Sequence, residues 1–121
     1  MFKIKYCHKI FDIQQIRVFV LELFYVISTL YDMLIKKAGF ADTAAIIENL
    51  DLIISIDTSV AHLAGAIGKP VWLLVSYIPD WRWMLERSDS PWYPTMKLFR
   101  QSKLGDWDSV FEEVIRELEN L

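Results

Sequence analysis

The chain has 121 residues, enough for one domain with one core. Its formal net charge of −3 offers no basic surface to attract nucleic acid or acidic lipid, so no nucleic-acid partner is expected. Cys7 is the single cysteine, which excludes an internal disulfide and a cysteine zinc cluster and fits a reducing compartment, the cytoplasm.

Residues 2–6 alternate apolar and basic side chains, the pattern of a short edge strand. Residues 12–37 then run without Gly or Pro and are long enough for one helix of about seven turns. Gln15, Glu22, Thr29 and Lys36 recur every seventh position, so such a helix carries one narrow polar stripe on an otherwise apolar circumference. A membrane span of about 20 apolar residues would have to include Arg17, Glu22 and Asp32, so none is expected. The lysines at positions 3, 5 and 9 are not followed by an A-x-A cleavage site, which argues against a secretory signal. The pattern instead predicts a helix buried against the rest of the domain, a protein partner or a second copy through residues 12–37. Glu22 and Lys36 would lie on its wet side.

From Gly39 the composition changes. Asp42 or Thr43 can cap a helix ending near Asn49, with Ile46, Ile47 and Leu50 facing inward. Leu52–Ile56 is an unbroken apolar run rich in β-branched residues, the composition of a strand buried on both faces of a parallel sheet. Asp57, Thr58 and Ser59 supply cap chemistry, residues 60–67 have helical spacing with many small side chains, and Gly68 stops that helix. Lys69 and Pro70 turn the chain into a second apolar run, Val71–Val75, which completes a βαβ unit. Residues 76–95 form a long segment with three prolines, three tryptophans and two tyrosines, and a short helix is predicted near 80–87. Met96–Arg100 reads as a third strand of this unit, residues 101–105 as a loop and residues 106–121 as a closing amphipathic helix. Val110, Phe111, Val114, Ile115 and Leu118 make its apolar face. The fold class is therefore α/β: a Rossmann-like parallel sheet with flanking helices, preceded by a long apolar helix.

In a parallel sheet the segments that follow Ile56, Val75 and Arg100 leave from one edge, where such sheets bind ligands. Thr58 and Ser59 offer hydroxyls and backbone N–H groups at a helix N-terminus, which suits a diphosphate or simply caps the helix. Asp57 would repel phosphate and is expected to turn aside. His62, one turn beyond Thr58, can reach a phosphate or serve as a core histidine. Lys69, Arg82, Arg87 and Arg100 are possible phosphate partners. Arg82 leads them, although its place between Trp81 and Trp83 equally suits cation–π packing. Trp81, Trp83, Trp92 and Tyr93 can stack on a base or a sugar, or can form a small core that pins the long segment. Ser59, His62 and Asp57 name the members of a hydrolase triad, but D-T-S-V-A is not the G-x-S-x-G elbow. There is no P-loop or G-x-G-x-x-G, and no second histidine stands where a metal would need it, so neither cofactor nor metal is expected.

Asp57-Thr58 with His62 four residues on, the Ala/Gly-rich helix and Pro70 resemble the donor-side motif of glycosyltransferase family 9, the ADP-heptose:lipopolysaccharide heptosyltransferases. Continued through DWRW, SPWYP, LFRQ and GDW, the likeness resembles the C-terminal end of bacterial tetratricopeptide-repeat proteins that carry a heptosyltransferase-like domain. It covers roughly residues 39–121 and implies two segments: residues 1–37, outside the family pattern, and a nucleotide-sugar-binding half-domain over 38–121. It further implies the donor-side half of a GT-B fold and a nucleotide-diphosphate sugar as partner. Asp57, Thr58, Ser59, His62 and Arg82 would bind the donor. The acceptor-side lobe of that architecture generally supplies the general base, so no catalytic residue is assigned and the chain is expected to be a truncated half that cannot transfer sugar alone. The rival reading is a non-catalytic protein-interaction module derived from such a domain.

Overall fold

The computed structural model of the protein describes the backbone of Val18–Val20 and all of residues 39–121. Along the chain come β1 (Val18–Val20), α1 (Phe40–Glu48), β2 (Leu52–Ile56), α2 (Ser59–Ile67) and β3 (Val71–Val75). A 3₁₀ turn (Trp81–Trp83), β4 (Met96–Arg100) and α3 (Trp107–Glu119) complete the described elements. The strands lie side by side in chain order, each parallel to its neighbour.

The apolar runs sort their side chains by parity, as a pleated strand must. Ile53, Val71, Leu73, Val75, Met96 and Leu98 face a layer made by Ile47 of α1, by Val60, Ala61 and Ala64 of α2, and by Trp83. Leu52, Ile54, Trp72, Leu74 and Phe99 face the opposite way and meet Val110, Val114 and Leu118 of α3. Burial on both faces is what an unbroken apolar strand requires, and all five residues of β3 are buried. The outer edge of β4 is partly covered by the chain itself, since Leu98 donates its N–H to the Ser88 carbonyl and Lys97 bridges to Asp89 in antiparallel sense.

α2 ends where its sequence ends it. Gly68 adopts φ 85°, a left-handed conformation that favours glycine, and the Gly68 and Lys69 N–H groups close the turn onto the Gly65 and Ala64 carbonyls. Lys69 then donates from Nζ to the Glu48 and Leu50 carbonyls, tying the end of α1 to this turn. α3 is capped by Asp106, whose carboxylate accepts the Ser109 N–H at 3.2 Å.

Several expectations are corrected. The single helix over residues 12–37 is interrupted, because Val18–Val20 pairs with β2 through Val18↔Leu52, Phe19↔Ile53 and Val20↔Ile54. The physical reason is that β2 has two edges, and the V-F-V triplet, β-branched and aromatic, is a good strand former able to satisfy the edge opposite β3. The rest of that helix and the strand expected at 2–6 lie outside the described residues. The cap of α1 is Gly39, with Asp42 three residues in and reaching back to the Gly39 N–H at 3.1 Å. Ile46, expected to face inward, is 39% exposed, whereas Ile47 is buried. The helix expected near 80–87 is one 3₁₀ turn, because the backbone leaves the helical region at Met84, where φ is 55°.

Ile54, 2% exposed, sits among apolar residues on the α3 side of the sheet. Ile54→Asp buries an unpaired charge and should lower stability by more than about 3 kcal/mol, while Glu119→Ala on the outer side of α3 should be nearly silent. Urea denaturation checks this, and similar midpoints for the two variants would reject the two-faced burial of β2.

Candidate functional site at the carboxyl edge of the sheet

Because the strands are parallel, Asp57, the segment from Ser76 and Gln101 all emerge at one edge of the sheet. The segment of residues 76–95 folds back over the α2 face, and three contacts fix it there. Trp83 is 1% exposed, so its indole N–H needs a buried partner, and it donates to Asp57 Oδ2 at 2.9 Å. Tyr93 places its hydroxyl 2.9 Å from His62 Nδ1. Arg100, at the end of β4, donates to the carbonyls of Arg87 at 2.7 Å, Met84 at 2.9 Å and Trp83. Burial of this guanidinium pushes its pKa below the ordinary arginine value.

His62 is thereby held on three sides, with a third of its side chain still exposed. Its Nε2 lies 3.3 Å from Asp57 Oδ1, and its ring packs 5.2 Å from the Trp83 ring and 5.7 Å from the Tyr93 ring, centroid to centroid. An ionised carboxylate only accepts, so the network assigns the Nε2 proton toward Asp57 and leaves Nδ1 to accept the Tyr93 hydroxyl proton. The close approach of Tyr93 depends on Gly65, where an added Cβ would meet Tyr93 Cγ at 2.7 Å. Buried Ser90 fixes the same stretch by accepting the Trp92 and Tyr93 N–H groups on its Oγ.

The expected site residues are now separable. Asp57, Thr58, Ser59 and His62 do lie together where β2 passes into α2. Thr58 is the N-cap of α2 but makes no side-chain cap bond; its hydroxyl lies 3.3 Å from Ser55 Oγ. With Asp57 drawn to Trp83 and His62, the N–H groups of Ser59, Val60 and Ala61 begin a helix that has neither a capping side chain nor an acid in its first turn. Arg82 instead pairs with Asp80 at 2.8 Å and lies 4.9 Å from the Trp81 ring centroid. Its backbone N–H and guanidinium hold the Asp80 carboxyl below the usual carboxylate range. Lys69, Arg87 and Arg100 are engaged with the Glu48 and Leu50 carbonyls, with Asp89 and with the aromatic segment respectively. Of the four aromatics, Trp83 and Tyr93 belong to the His62 network, while Trp81 and Trp92 stand in solvent.

Sequence reasoning brought Arg100 and the segment from Gln101 to this edge but missed what they bind there, and it missed Gly65 as the seat of Tyr93. Gln101 is 6% exposed and accepts the Tyr77 N–H on Oε1, with its Nε2 buried and without an acceptor among the described residues. A glutamine directly after a strand carries no distinguishing signal. The Ala/Gly composition of α2 did signal close packing, though not which ring would use it. Among the described residues no His, Cys, Asp and Glu cluster could hold a metal, and no helix is long and apolar enough to cross a membrane.

Comparison with known proteins finds a likeness over part of the chain. The model of Glycosyltransferase family 9 (heptosyltransferase) matches residues 24–79, a span that includes α1, β2, α2 and β3. Residues 24–79 are thus similar to part of a glycosyltransferase family 9 domain. The match begins ahead of Gly39, so the family pattern reaches further toward the N-terminus than the motifs alone indicate, and it stops before the 3₁₀ turn. Protein FlbA of Caulobacter vibrioides (strain ATCC 19089 / CIP 103742 / CB 15) is 32% identical over 78 residues, covering 64% of this chain and 13% of FlbA. The chain therefore corresponds to a small part of that relative's length. No solved structure matches it significantly.

Gly65→Ala tests the His62 network. Alanine normally gains about 0.5–1 kcal/mol over glycine inside a helix. Here the added methyl must displace Tyr93, and a net loss of about 1–3 kcal/mol is expected in urea denaturation. Tyr93→Phe, which removes only the hydroxyl, should cost about 1 kcal/mol. A neutral or stabilised Gly65→Ala protein would contradict the packing of Tyr93 on α2.

Proposed function

We propose that this domain binds the diphosphate of a nucleotide-sugar donor at the N-terminus of α2, as the donor-side half of a GT-B-type glycosyltransferase. The observation that carries the reading is the uncapped first turn of α2 at the carboxyl end of β2. There the Ser59, Val60 and Ala61 N–H groups present a fixed positive end to an anion. The glycosyltransferase family 9 match over the same residues supports a sugar-nucleotide as that anion. The Thr58 and Ser59 hydroxyls add donors. His62, its orientation set by Asp57 and Tyr93, lies one turn further along the same helix.

These residues account for binding and not for transfer. An attacking hydroxyl needs a base within hydrogen-bond reach, worth roughly 10²- to 10⁴-fold. Asp57 already accepts from Trp83 and faces His62, and His62 is held between Asp57 and Tyr93, so both are committed to the donor side. The base and the acceptor site of a working enzyme would come from elsewhere in the assembled protein.

Titration with UDP-, GDP- and ADP-sugars, followed by amide NMR, tests the reading. Shifts are expected at Ser59, Val60, Ala61 and His62 at millimolar donor, without sugar transfer. Ser59→Pro is the informative variant, because proline is favoured at the first helical position and the extended Thr58 backbone (φ −143°, ψ 167°) tolerates it. It should keep the fold and weaken donor binding several-fold by removing one N–H. Absence of any shift at these amides, or equal affinity in Ser59→Pro, would reject the helix N-terminus as the anchor.

A further inference from the structure

Ser55 is the one polar residue of β2 and is wholly buried, two positions on from Ile53 and so on the same α2 face of the sheet. A buried hydroxyl costs free energy unless it is bonded, and alanine would fill nearly the same space without that cost. What this hydroxyl holds is Thr58. Ser55 Oγ donates its one proton to the Ile56 carbonyl at 2.9 Å, so toward Thr58 Oγ1, 3.3 Å away, it can only accept. Thr58 is the N-cap of α2, a residue type favoured there, and its backbone is extended as a cap requires, with φ −143° and ψ 167°; yet its side chain makes no cap bond. Rotation about one side-chain bond separates the two arrangements: Oγ1 turned to Ser55, or Oγ1 accepting an N–H of the first turn, from Val60 or Ala61.

We propose that Ser55 is a positioning residue for the donor anchor: by accepting the Thr58 hydroxyl it keeps that side chain from capping its own helix, so the Val60 and Ala61 N–H groups stay open to an anion. The inference rests on the donor-binding reading for what uses the open turn, and on Ser55 and Thr58 alone for how the turn is kept open. A capping hydroxyl and a phosphate oxygen are acceptors for the same N–H groups, so each excludes the other there. The bond to Ser55 asks the opposite of Thr58, because in it the threonine hydroxyl is the donor. A phosphate oxygen can take that proton in place of Ser55, so the arrangement removes a competitor and keeps a donor. Asp57 is withdrawn from the helix by different partners, Trp83 and His62. Both side chains that lead into α2 are therefore held off its first turn by hydrogen bonds of their own.

The test is a mutant cycle in the full chain, read first without ligand and then with it. Ser55→Ala should let Thr58 cap the helix, so the Val60 or Ala61 amide should exchange with solvent roughly threefold or more slowly than in the wild type. The double variant Ser55→Ala/Thr58→Val has no hydroxyl left to cap with and should return to the wild-type rate. Titrated with UDP-, GDP- and ADP-sugars, Ser55→Ala should bind the donor several-fold more weakly, whereas adding Ser55→Ala to Thr58→Val should change nothing. A serine that only packs β2 would cost the same in both backgrounds. Equal Val60 and Ala61 exchange in the wild type and Ser55→Ala, or a loss of affinity that is the same with and without the Thr58 hydroxyl, would overturn the positioning role. If the wild-type Ser59, Val60 and Ala61 amides do not respond to any donor, the donor reading fails and the positioning role with it. A wild-type response that Ser55→Ala leaves undiminished overturns the positioning role alone.

Discussion

The hydrogen bond from the Trp83 indole to Asp57 is the constraint on which the carboxyl edge of the sheet depends. Burying an indole removes water from its N–H, and an unpaired donor there costs roughly 1–3 kcal/mol. Asp57, released from β2 at the surface, supplies the acceptor at 2.9 Å. That single bond has three consequences. It ties residues 76–95 to α2, it diverts the nearest carboxylate from the helix N-terminus, and it places the Trp83 ring against His62. Arg100 reinforces the same turn from β4 by binding the carbonyls of Trp83 and Met84.

The arrangement resolves a conflict in the sequence itself. An aspartate at the start of a helix ordinarily caps it and neutralises its positive end. In D-T-S the carboxylate would compete with any anion for the same N–H groups. Drawing Asp57 to Trp83 and turning Thr58 toward Ser55 leaves the first turn of α2 to other acceptors while every buried polar atom at Asp57, His62 and Ser55 keeps a partner. In α1 and α3, by contrast, an acidic residue answers the first turn: Asp42 at Gly39, and Asp106 at Ser109.

The core of the fold was legible because its signals are local. Leu52–Ile56, Val71–Val75 and Met96–Arg100 have strand composition, Gly68 has no alternative role at a helix end, and the 3.6-residue apolar spacing of α3 admits one inward face. Periodicity failed where two structures share a pattern. An apolar stretch such as V-F-V fits a buried helix as well as a central strand, and only the unfilled edge of β2 decides for the strand at Val18–Val20. The site was legible in its members and not in its bonds. Asp57 and Trp83 are 26 positions apart, and His62 and Tyr93 are 31, so nothing in local spacing pairs them. The structure was needed to divide four aromatics into two that build the segment and two that it displays.

The aromatic segment is locked through Trp83 and not merely laid over α2. Hydrogen exchange of the indole N–H groups, resolved as separate ¹H–¹⁵N signals, measures it directly. With its N–H bound to Asp57 and its ring 1% exposed, Trp83 should exchange orders of magnitude more slowly than Trp81, which is 69% exposed. Asp57→Asn should speed the Trp83 exchange alone. If the Trp83 and Trp81 indoles exchange at comparable rates in the wild-type protein, the lock does not exist.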